Sequence, residues 1–160
     1  MGARRGRYRG LMKAVVYDRY GPPSVLRLTD LPVPTPGAGQ VLVEVVATSV
    51  NLSDWEGLVG SPAYARIGGL RRPGRPVLGS DIAGRVAAVG PGVTRFRRGD
   101  EVYGDNLGLK GGFAQLALAP ESVLAPKPAS LTFVQASTLP QAAPIALQGT
   151  AGAGPGSRVL

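Results

Sequence analysis

Residues 41–50 have the sequence VLVEVVATSV and are the strongest candidate for a β-strand in the chain. Val and Thr are β-branched and fit a pleated strand, and apolar residues occupy both odd and even positions, so both faces of this strand are predicted to be buried. Further candidate strands, separated by turns, lie at residues 13–18, 25–30, 79–90, 113–119 and 122–125 and around Val102 and Tyr103. Many short strands of this kind predict a β-barrel or a β-sandwich. The 24 Gly and 15 Pro residues also disfavour a helical bundle.

One short helix is predicted directly after the strand at 41–50. Asn51 or Ser53 is a candidate N-cap for a helix over residues 52–58, and Glu56 follows Ser53 at capping-box spacing. The Gly and Pro residues that follow predict a loop over residues 59–76.

The last part of the sequence has a different character. Thr132 and Gln135 have capping-box spacing, and the helix that they begin is predicted to end at Pro140. A second helix is predicted over residues 141–149, and residues 157–160 look like the start of a strand in a further domain. The sequence is therefore predicted to be part of a longer protein, with a disordered basic arm, a β domain and the beginning of another domain at residues 1–11, 12–130 and 131–160.

The chain contains neither Cys nor His. This composition excludes disulfides, thiolate zinc sites, Fe–S clusters, a Cys nucleophile and a Ser-His-Asp triad. It also disfavours zinc and copper sites, which would have to be built from carboxylates alone. No stretch of the sequence has the length and apolar character of a membrane span, and the N-terminus lacks the apolar segment of a secretory signal. A cytoplasmic location without a membrane partner is predicted.

The formal net charge of +8 suggests a nucleic-acid partner. Most basic residues fall in three clusters: Arg4, Arg5, Arg7, Arg9 and Lys13; Arg66, Arg71, Arg72 and Arg75; and Arg95, Arg97 and Arg98. Aromatic residues do not alternate with them as in a single-strand binding face, so nucleic-acid binding is disfavoured. Two interpretations remain: anion binding in a cleft, for example to a cofactor phosphate, and a solvated arginine-rich surface, which is preferred.

Several segments, in this order, resemble one known family. They are MKAVVYDRYGPP at 12–23, VLVEV at 41–45, PVLGSDIAGRVAAVG at 76–90, RRGDEVYG at 97–104, GGFAQLALAP at 111–120 and SLTFVQASTLPQAAPIALQG at 130–149. Together they resemble the N-terminal part of the medium-chain dehydrogenase/reductase superfamily, and they are most similar to its zinc-free quinone oxidoreductase branch. The resemblance covers residues 12–160.

The resemblance implies a mainly β fold, a GroES-like, partly open β-barrel with short helices, followed by the start of a Rossmann α/β domain. In the family the Rossmann domain binds NADPH or NADH through a Gly-rich turn that should follow residue 160. Most of the cofactor is therefore expected to bind a domain missing from this chain, and the fragment alone is expected to be inactive.

The resemblance also bears on zinc. Zinc-dependent relatives have a Cys ligand where this chain has Asn51, and a His-Glu pair where it has Ser80 and Asp81. They also carry a four-Cys structural zinc lobe, which a Cys-free chain cannot form. The resemblance thus implies an enzyme without a metal. Hydride transfer to a quinone or an enone suits such an enzyme, because conjugation delocalises the developing negative charge.

Three candidate catalytic residues match the stretch that lies beside the nicotinamide in the family. Asn51 is assigned to a hydrogen bond with the substrate oxygen or the cofactor, and Ser53 to proton delivery. Asp54 is assigned either a cofactor role or a structural role in organising backbone donors. The alternative for Asn51 and Ser53 is that they only cap the helix.

The remaining assignments concern the substrate and the cofactor. Trp55 and Tyr64 are candidates for a flat aromatic substrate pocket, although Trp55 could equally belong to the core. Ile145 and Gln148 fall in the helix that borders the nicotinamide in the family and are candidate cofactor-binding residues together with Asn51. Asp81 is assigned mainly a structural role.

These observations favour an NAD(P)H-dependent, zinc-independent reductase of a quinone or another activated alkene or carbonyl, with NADPH preferred over NADH. A homodimer is expected to form through the absent domain. The alternative is a non-catalytic GroES-like barrel that acts as a binding or structural module.

Overall fold

The structure is a computed structural model that describes residues 10–154 and 156–158. The strands in this part are β1 (Leu11–Val16), β2 (Arg27–Pro32), β3 (Gln40–Thr48), β4 (Asp81–Val89), β5 (Glu101–Asp105), β6 (Leu116–Pro120) and β7 (Leu124–Pro126). The α-helices are α1 (Leu52–Val59), α2 (Phe133–Ser137) and α3 (Ala142–Gly149), and short 3-10 helices cover Pro23–Val25, Ala63–Arg66 and Glu121–Val123.

Five of the strands form one antiparallel sheet in the order β6-β3-β4-β5-β7. β1 and β2 form a separate antiparallel ribbon. Isolated bridges from Ala14 to Ala114 and from Val16 to Val77 join the ribbon to segments that flank the larger sheet. β6 and β7 are the edges of that sheet and are not paired with each other in the described part of the chain. The predicted mainly β, partly open barrel with short helices is confirmed.

The core lies on both faces of β3, as its sequence predicts. Val41 and Val43 are fully buried in a cluster to which β4, β5, β6 and β7 also contribute. Leu42 points to the opposite face, because side chains alternate along a strand, and there it packs with Met12 and Leu116. Both faces of β3 are thus packed against the core. The core therefore holds the C-terminal end of β3 at Thr48 in place, just before the chain enters α1.

The observed elements differ from the predicted ones near the two ends of the chain. β1 begins at Leu11, within the predicted basic arm, because Leu11 pairs with Pro32 across the ribbon; residues 1–9 of that arm lie outside the described residues. At the other end, Ser157 and Arg158 do not form the predicted strand. The Ser157 N–H donates to the Gly154 carbonyl in a local turn instead, and residues 159 and 160 lie outside the described part.

The cap of α1 also differs from one of the predictions. The helix starts after Asn51, and the Asp54 carboxylate accepts the Asn51 N–H at 3.0 Å. The pair that closes the first turn is therefore Asn51 with Asp54, not Ser53 with Glu56, because Ser53 already lies inside the helix. The loop predicted after α1 contains one 3-10 helix, Ala63–Arg66.

The two later helices follow their predicted signals. Thr132 and Gln135 form the predicted capping box of α2: the Gln135 N–H donates to Thr132 Oγ1 at 3.2 Å, and the Thr132 N–H donates to Gln135 Oε1 at 3.0 Å. The helix ends before Pro140. Pro144 occupies the first turn of α3, where its missing N–H removes no helical hydrogen bond. Among the residues that the structure describes, no helix has the length and apolar character needed to cross a membrane.

Candidate functional site

Six polar side chains meet where β3 ends and β4 begins. β4 runs antiparallel to β3, so the first residues of β4 lie beside the residues that leave β3 and enter α1. Leu139 and Pro140 carry the chain from α2 to the same place. We call the resulting group the polar cluster; it consists of Ser49, Asn51, Ser53, Ser80, Asp81 and Gln141.

Asp81 is the buried acid of the polar cluster, with no exposed surface. Its Oδ2 accepts hydrogen bonds from Ser49 Oγ at 3.1 Å and from the Gln141 N–H at 3.4 Å. Burial raises the pKa of Asp81, although hydrogen bonds from Asn51, Ser49 and Gln141 oppose this shift. Its Oδ1 is buried and has no hydrogen-bond partner among the described residues. Asp81 is therefore a carboxyl group that the protein holds in a poorly solvated position.

Ser53 and Ser80 are joined through the side chain of Gln141. Ser53 Oγ donates to Gln141 Oε1 at 3.3 Å and lies 3.5 Å from Ser80 Oγ. Gln141 Nε2 donates to Ser80 Oγ at 2.6 Å and to Asp105 Oδ1 at 3.1 Å. Two hydroxyl groups are thus held side by side and oriented by one amide, an arrangement that can present a proton to a bound oxygen atom.

Asp54 lies behind this arrangement and is 2% exposed. Its Oδ2 accepts the Asn51 N–H and its Oδ1 accepts the Gly79 N–H, both at 3.0 Å. Lys110 Nζ lies 3.8 Å from Oδ1 and donates to the Ser53 carbonyl at 3.1 Å. Burial lowers the pKa of Lys110, and the Asp54 charge opposes that shift. This geometry matches the structural alternative for Asp54, because both of its oxygens accept backbone N–H groups.

The other predicted site residues lie at the surface. Trp55 and Tyr64 are 50% and 58% exposed, and the Tyr64 hydroxyl donates to Glu56 Oε1 at 2.7 Å. Ile145 and Gln148 are exposed on α3, which has no buried residue. The structure thus brings Asn51, Ser53 and Asp54 together. It gives Trp55, Tyr64, Ile145 and Gln148 no hydrogen bond to the polar cluster within the described residues.

Sequence reasoning missed Gln141 and Lys110. Gln141 lies 88 residues from Ser53 along the chain, and its position after Pro140 indicates only the start of a helix. Lys110 is a single basic residue before two glycines, which predicts a turn and no ionic partner. Gln141 lies within the segment 130–149 that carries the family resemblance but is given no role by it, and Lys110 lies outside the matched segments. Only the tertiary structure shows their contacts.

The residues of the polar cluster do not fit zinc. Zinc sites in proteins use thiolates, imidazoles and carboxylates. At the positions where the family resemblance places zinc ligands, this chain has an amide, a hydroxyl and one carboxylate, at Asn51, Ser80 and Asp81. Within residues 10–154 and 156–158, no group of three or more His, Cys, Asp or Glu side chains is placed to hold a metal.

Comparisons with known proteins agree with this fold. Residues 37–129 match the alcohol dehydrogenase GroES-like domain. The quinone oxidoreductase of Mus musculus is 38% identical over 131 residues, which cover 81% of this chain and 37% of that protein. The chain thus spans little more than a third of the length of this curated relative.

Two solved structures are similar over most of the chain. The quinone oxidoreductase from Coxiella burnetii has a TM-score of 0.78 at 34% identity and covers 89% of this chain and 45% of its own. A putative zinc-dependent alcohol dehydrogenase protein from Rhizobium etli has a TM-score of 0.74 at 33% identity, with coverage of 94% and 44%. The chain therefore belongs to the alcohol dehydrogenase GroES-like domain family, within the medium-chain dehydrogenase/reductase superfamily.

Proposed function

We propose that the protein carrying this chain is an NAD(P)H-dependent oxidoreductase that reduces a quinone, or another activated alkene or carbonyl, without zinc. The observation that carries the proposal is the composition of the polar cluster, which has Asn51, Ser80 and Asp81 where zinc-dependent relatives have metal ligands. Relatives that bear the name quinone oxidoreductase support the substrate class.

The nicotinamide ring of the cofactor is proposed to bind against the solvent-exposed surface of α3. Ile145 offers an apolar surface that is 67% exposed, and Gln148 offers an exposed amide on the same helix. Together with Asn51 they would contact the nicotinamide, while the rest of the cofactor binds outside this chain. The bound cofactor supplies the hydride, and we propose NADPH in preference to NADH.

Within this chain, Asn51 and Ser53 would act on the substrate oxygen. Asn51 Nδ2 donates to Ser49 Oγ at 3.3 Å and also hydrogen-bonds Asp81, so a hydrogen bond to the substrate oxygen would replace one of these two contacts. The Ser53 hydroxyl, which donates to Gln141 Oε1 in this structure, would turn to donate its proton as negative charge develops on the substrate oxygen. Ser53 is only partly buried, so solvent would return the proton to Ser53 Oγ. Asp54 would position both residues through the first turn of α1.

The proposal also covers the substrate pocket, the cellular location and the oligomeric state of the protein. Trp55 and Tyr64 would line the substrate pocket, since a flat quinone ring stacks favourably on aromatic side chains. A cytoplasmic location and a homodimer formed outside this chain complete the proposal.

The test is oxidation of NADPH and NADH by the protein in the form that its gene encodes, with 1,4-benzoquinone or cyclohexenone as acceptor and a metal chelator present. We expect turnover that the chelator does not affect. Ser53→Ala should lower kcat by about 100-fold, within the range for loss of a positioned proton donor. Ser130→Ala, at an exposed serine outside the polar cluster, is the matched control and should leave kcat unchanged.

Two outcomes would contradict the proposal. Activity that the chelator removes and added zinc restores would indicate a zinc enzyme. A folded protein that oxidises neither cofactor with any acceptor would support the alternative of a non-catalytic binding or structural module.

A further inference from the structure

A cavity of about 530 Å³ lies beside α1, outside the polar cluster. Its walls come from the connection after β1, from the loop after α1 and from the segment before β6, and none of the six polar-cluster residues lines it. The volume falls in the range of roughly 300–1,000 Å³ that small-molecule sites occupy. The cavity is therefore large enough for a ligand of its own.

The charged residues that line this cavity are both cations, Lys110 and Arg75. Lys110 is on the inner side, and its side chain is 16% exposed. A Cβ atom added to Gly57, in the cavity wall, would lie 3.1 Å from Lys110 Nζ and 3.9 Å from the Tyr17 hydroxyl oxygen, so the amine and the phenol converge on this wall. Asp54 offsets part of the Lys110 charge from behind.

Arg75 is on the outer side of the cavity and is exposed. It has no ion pair or hydrogen bond with the residues that the structure describes. The loop over residues 61–76 contains four arginines and no acidic residue, so no local carboxylate competes for Arg75. A guanidinium without a protein partner at the mouth of a cavity can bind a carboxylate or a phosphate through two hydrogen bonds.

The rest of the wall includes apolar surface. Ile67 is 86% exposed and Leu107 is 48% exposed, and both line the cavity. The Tyr20 ring lies on the same wall, with the Arg66 guanidinium 4.9 Å from its centre. A ligand that fits these surfaces has an apolar body and an anionic group.

We propose that this cavity binds a small organic anion, a carboxylate or a phosphate ester with an apolar body, whose charged group contacts Arg75 and Lys110. The site is distinct from the polar cluster, and the proposal does not depend on the activity proposed above.

The experiment is a titration of the 15N-labelled full chain with benzoate and with phenyl phosphate, followed by amide NMR shifts. The amides of Gly57, Gly68, Gly74 and Gly108 belong to cavity-lining residues and report on this site. We expect saturable shifts of these amides with at least one of the two anions, and the stronger binder identifies the anionic group. Arg75→Ala should weaken that binding by about tenfold, as expected for loss of a charge-assisted hydrogen bond.

Arg72→Ala and benzyl alcohol are the controls. Arg72 is exposed in the same loop but does not line the cavity, so its loss should leave the affinity unchanged. Benzyl alcohol has the apolar ring without the charge and should bind much more weakly than the anions. The proposal is overturned if neither anion gives saturable shifts, if Arg72→Ala weakens binding as much as Arg75→Ala, or if benzyl alcohol binds as tightly as the anions.

Discussion

The helices α1 and α3 are both eight residues long and both border the polar cluster, but the protein holds them in different ways. α1 buries Asp54 and Leu58, whereas α3 buries none of its residues. Ile145 and Leu147 of α3 are 67% and 70% exposed. The position of α1 is thus fixed by side chains of this chain.

α3 is attached to the polar cluster through the residue that precedes it. The Gln141 N–H contacts Asp81, and the Gln141 side chain contacts Ser80 and Asp105. A segment with few buried contacts opens at low free-energy cost, whereas a segment anchored in the core does not. The α1 side of the candidate site is therefore rigid, whereas α3 is held mainly at its N-terminal end, through Gln141. Substitutions in the two helices should have correspondingly different effects.

Removal of the Asp54 carboxylate should cause the greatest loss of stability. Asp54→Ala leaves two buried backbone N–H groups without their acceptor and removes the carboxylate that balances the Lys110 ammonium. We expect the free energy of unfolding to fall by about 4 kcal/mol, the size measured when one partner of a buried charge network is removed. Urea unfolding measures the change. Glu56→Ala, at a surface hydrogen bond of the same helix, should have little effect, and an equal loss in the two variants would contradict the role of Asp54.

Matched leucines test the comparison of the two helices directly. Leu58 is 5% exposed and packs with Tyr17 and Leu78, so Leu58→Ala should cost about 3 kcal/mol for lost burial and the cavity that remains. Leu147 is 70% exposed in this chain, so Leu147→Ala should change stability by no more than about 0.5 kcal/mol. Thermal or urea unfolding of the two variants and the wild type measures both losses of stability. A large loss for Leu147→Ala would show that α3 is held as firmly as α1.

Glycines at the C-terminal ends of the two helices give a smaller contrast. Gly60 caps α1 with φ of 67°, and a Cβ there would lie 2.6 Å from the Tyr20 ring, so Gly60→Ala should destabilise the chain by about 2 kcal/mol. Gly149 ends α3, and a Cβ there meets no atom within 4 Å. Gly149→Ala should stabilise the chain by about 0.5 kcal/mol, because alanine favours the helix. Unfolding midpoints that move in the same direction would contradict this contrast.

Local patterns predicted individual strands and helices, whereas the GroES-like barrel was predicted from the family resemblance. The β-branched run in β3 and the Thr132–Gln135 capping box each specify an element through the residues of that element alone. The resemblance similarly proposed Asn51 and Ser53, which lie two residues apart at the start of α1.

The parts that escaped prediction depend on contacts between distant segments. Gln141 reaches Ser80 across 61 residues of sequence, and hydrophobic periodicity carries no information about such a contact. The same limit applies to Trp55, because a lone aromatic residue on a short helix fits a core, a pocket or a surface equally well. Its exposure follows from the neighbours that the tertiary fold gives it.

The pH dependence of stability tests the contact between Gln141, which precedes α3, and Asp81 at the start of β4. Burial raises the pKa of Asp81 above its ordinary value of 3.8, so the folded protein keeps this proton at pH values where the unfolded chain has released it. The resulting contribution to stability is fully present below pH 3.8 and is lost as the pH rises through the folded pKa. Asp81→Asn should remove this loss, so the variant should gain stability relative to the wild type as the pH rises.

Glu101 provides a control of opposite sign. A hydrogen bond from Lys127 lowers the pKa of Glu101, so its contribution is present above the ordinary pKa and is lost as the pH falls through the folded pKa. Glu101→Gln should therefore lose stability relative to the wild type as the pH rises, whereas Asp81→Asn gains it. Urea unfolding of the three proteins across the acidic range measures both differences. If the two variants change in the same direction, the carboxyl of Asp81 is not held in a poorly solvated position, and the attachment of α3 through Gln141 does not involve a buried acid.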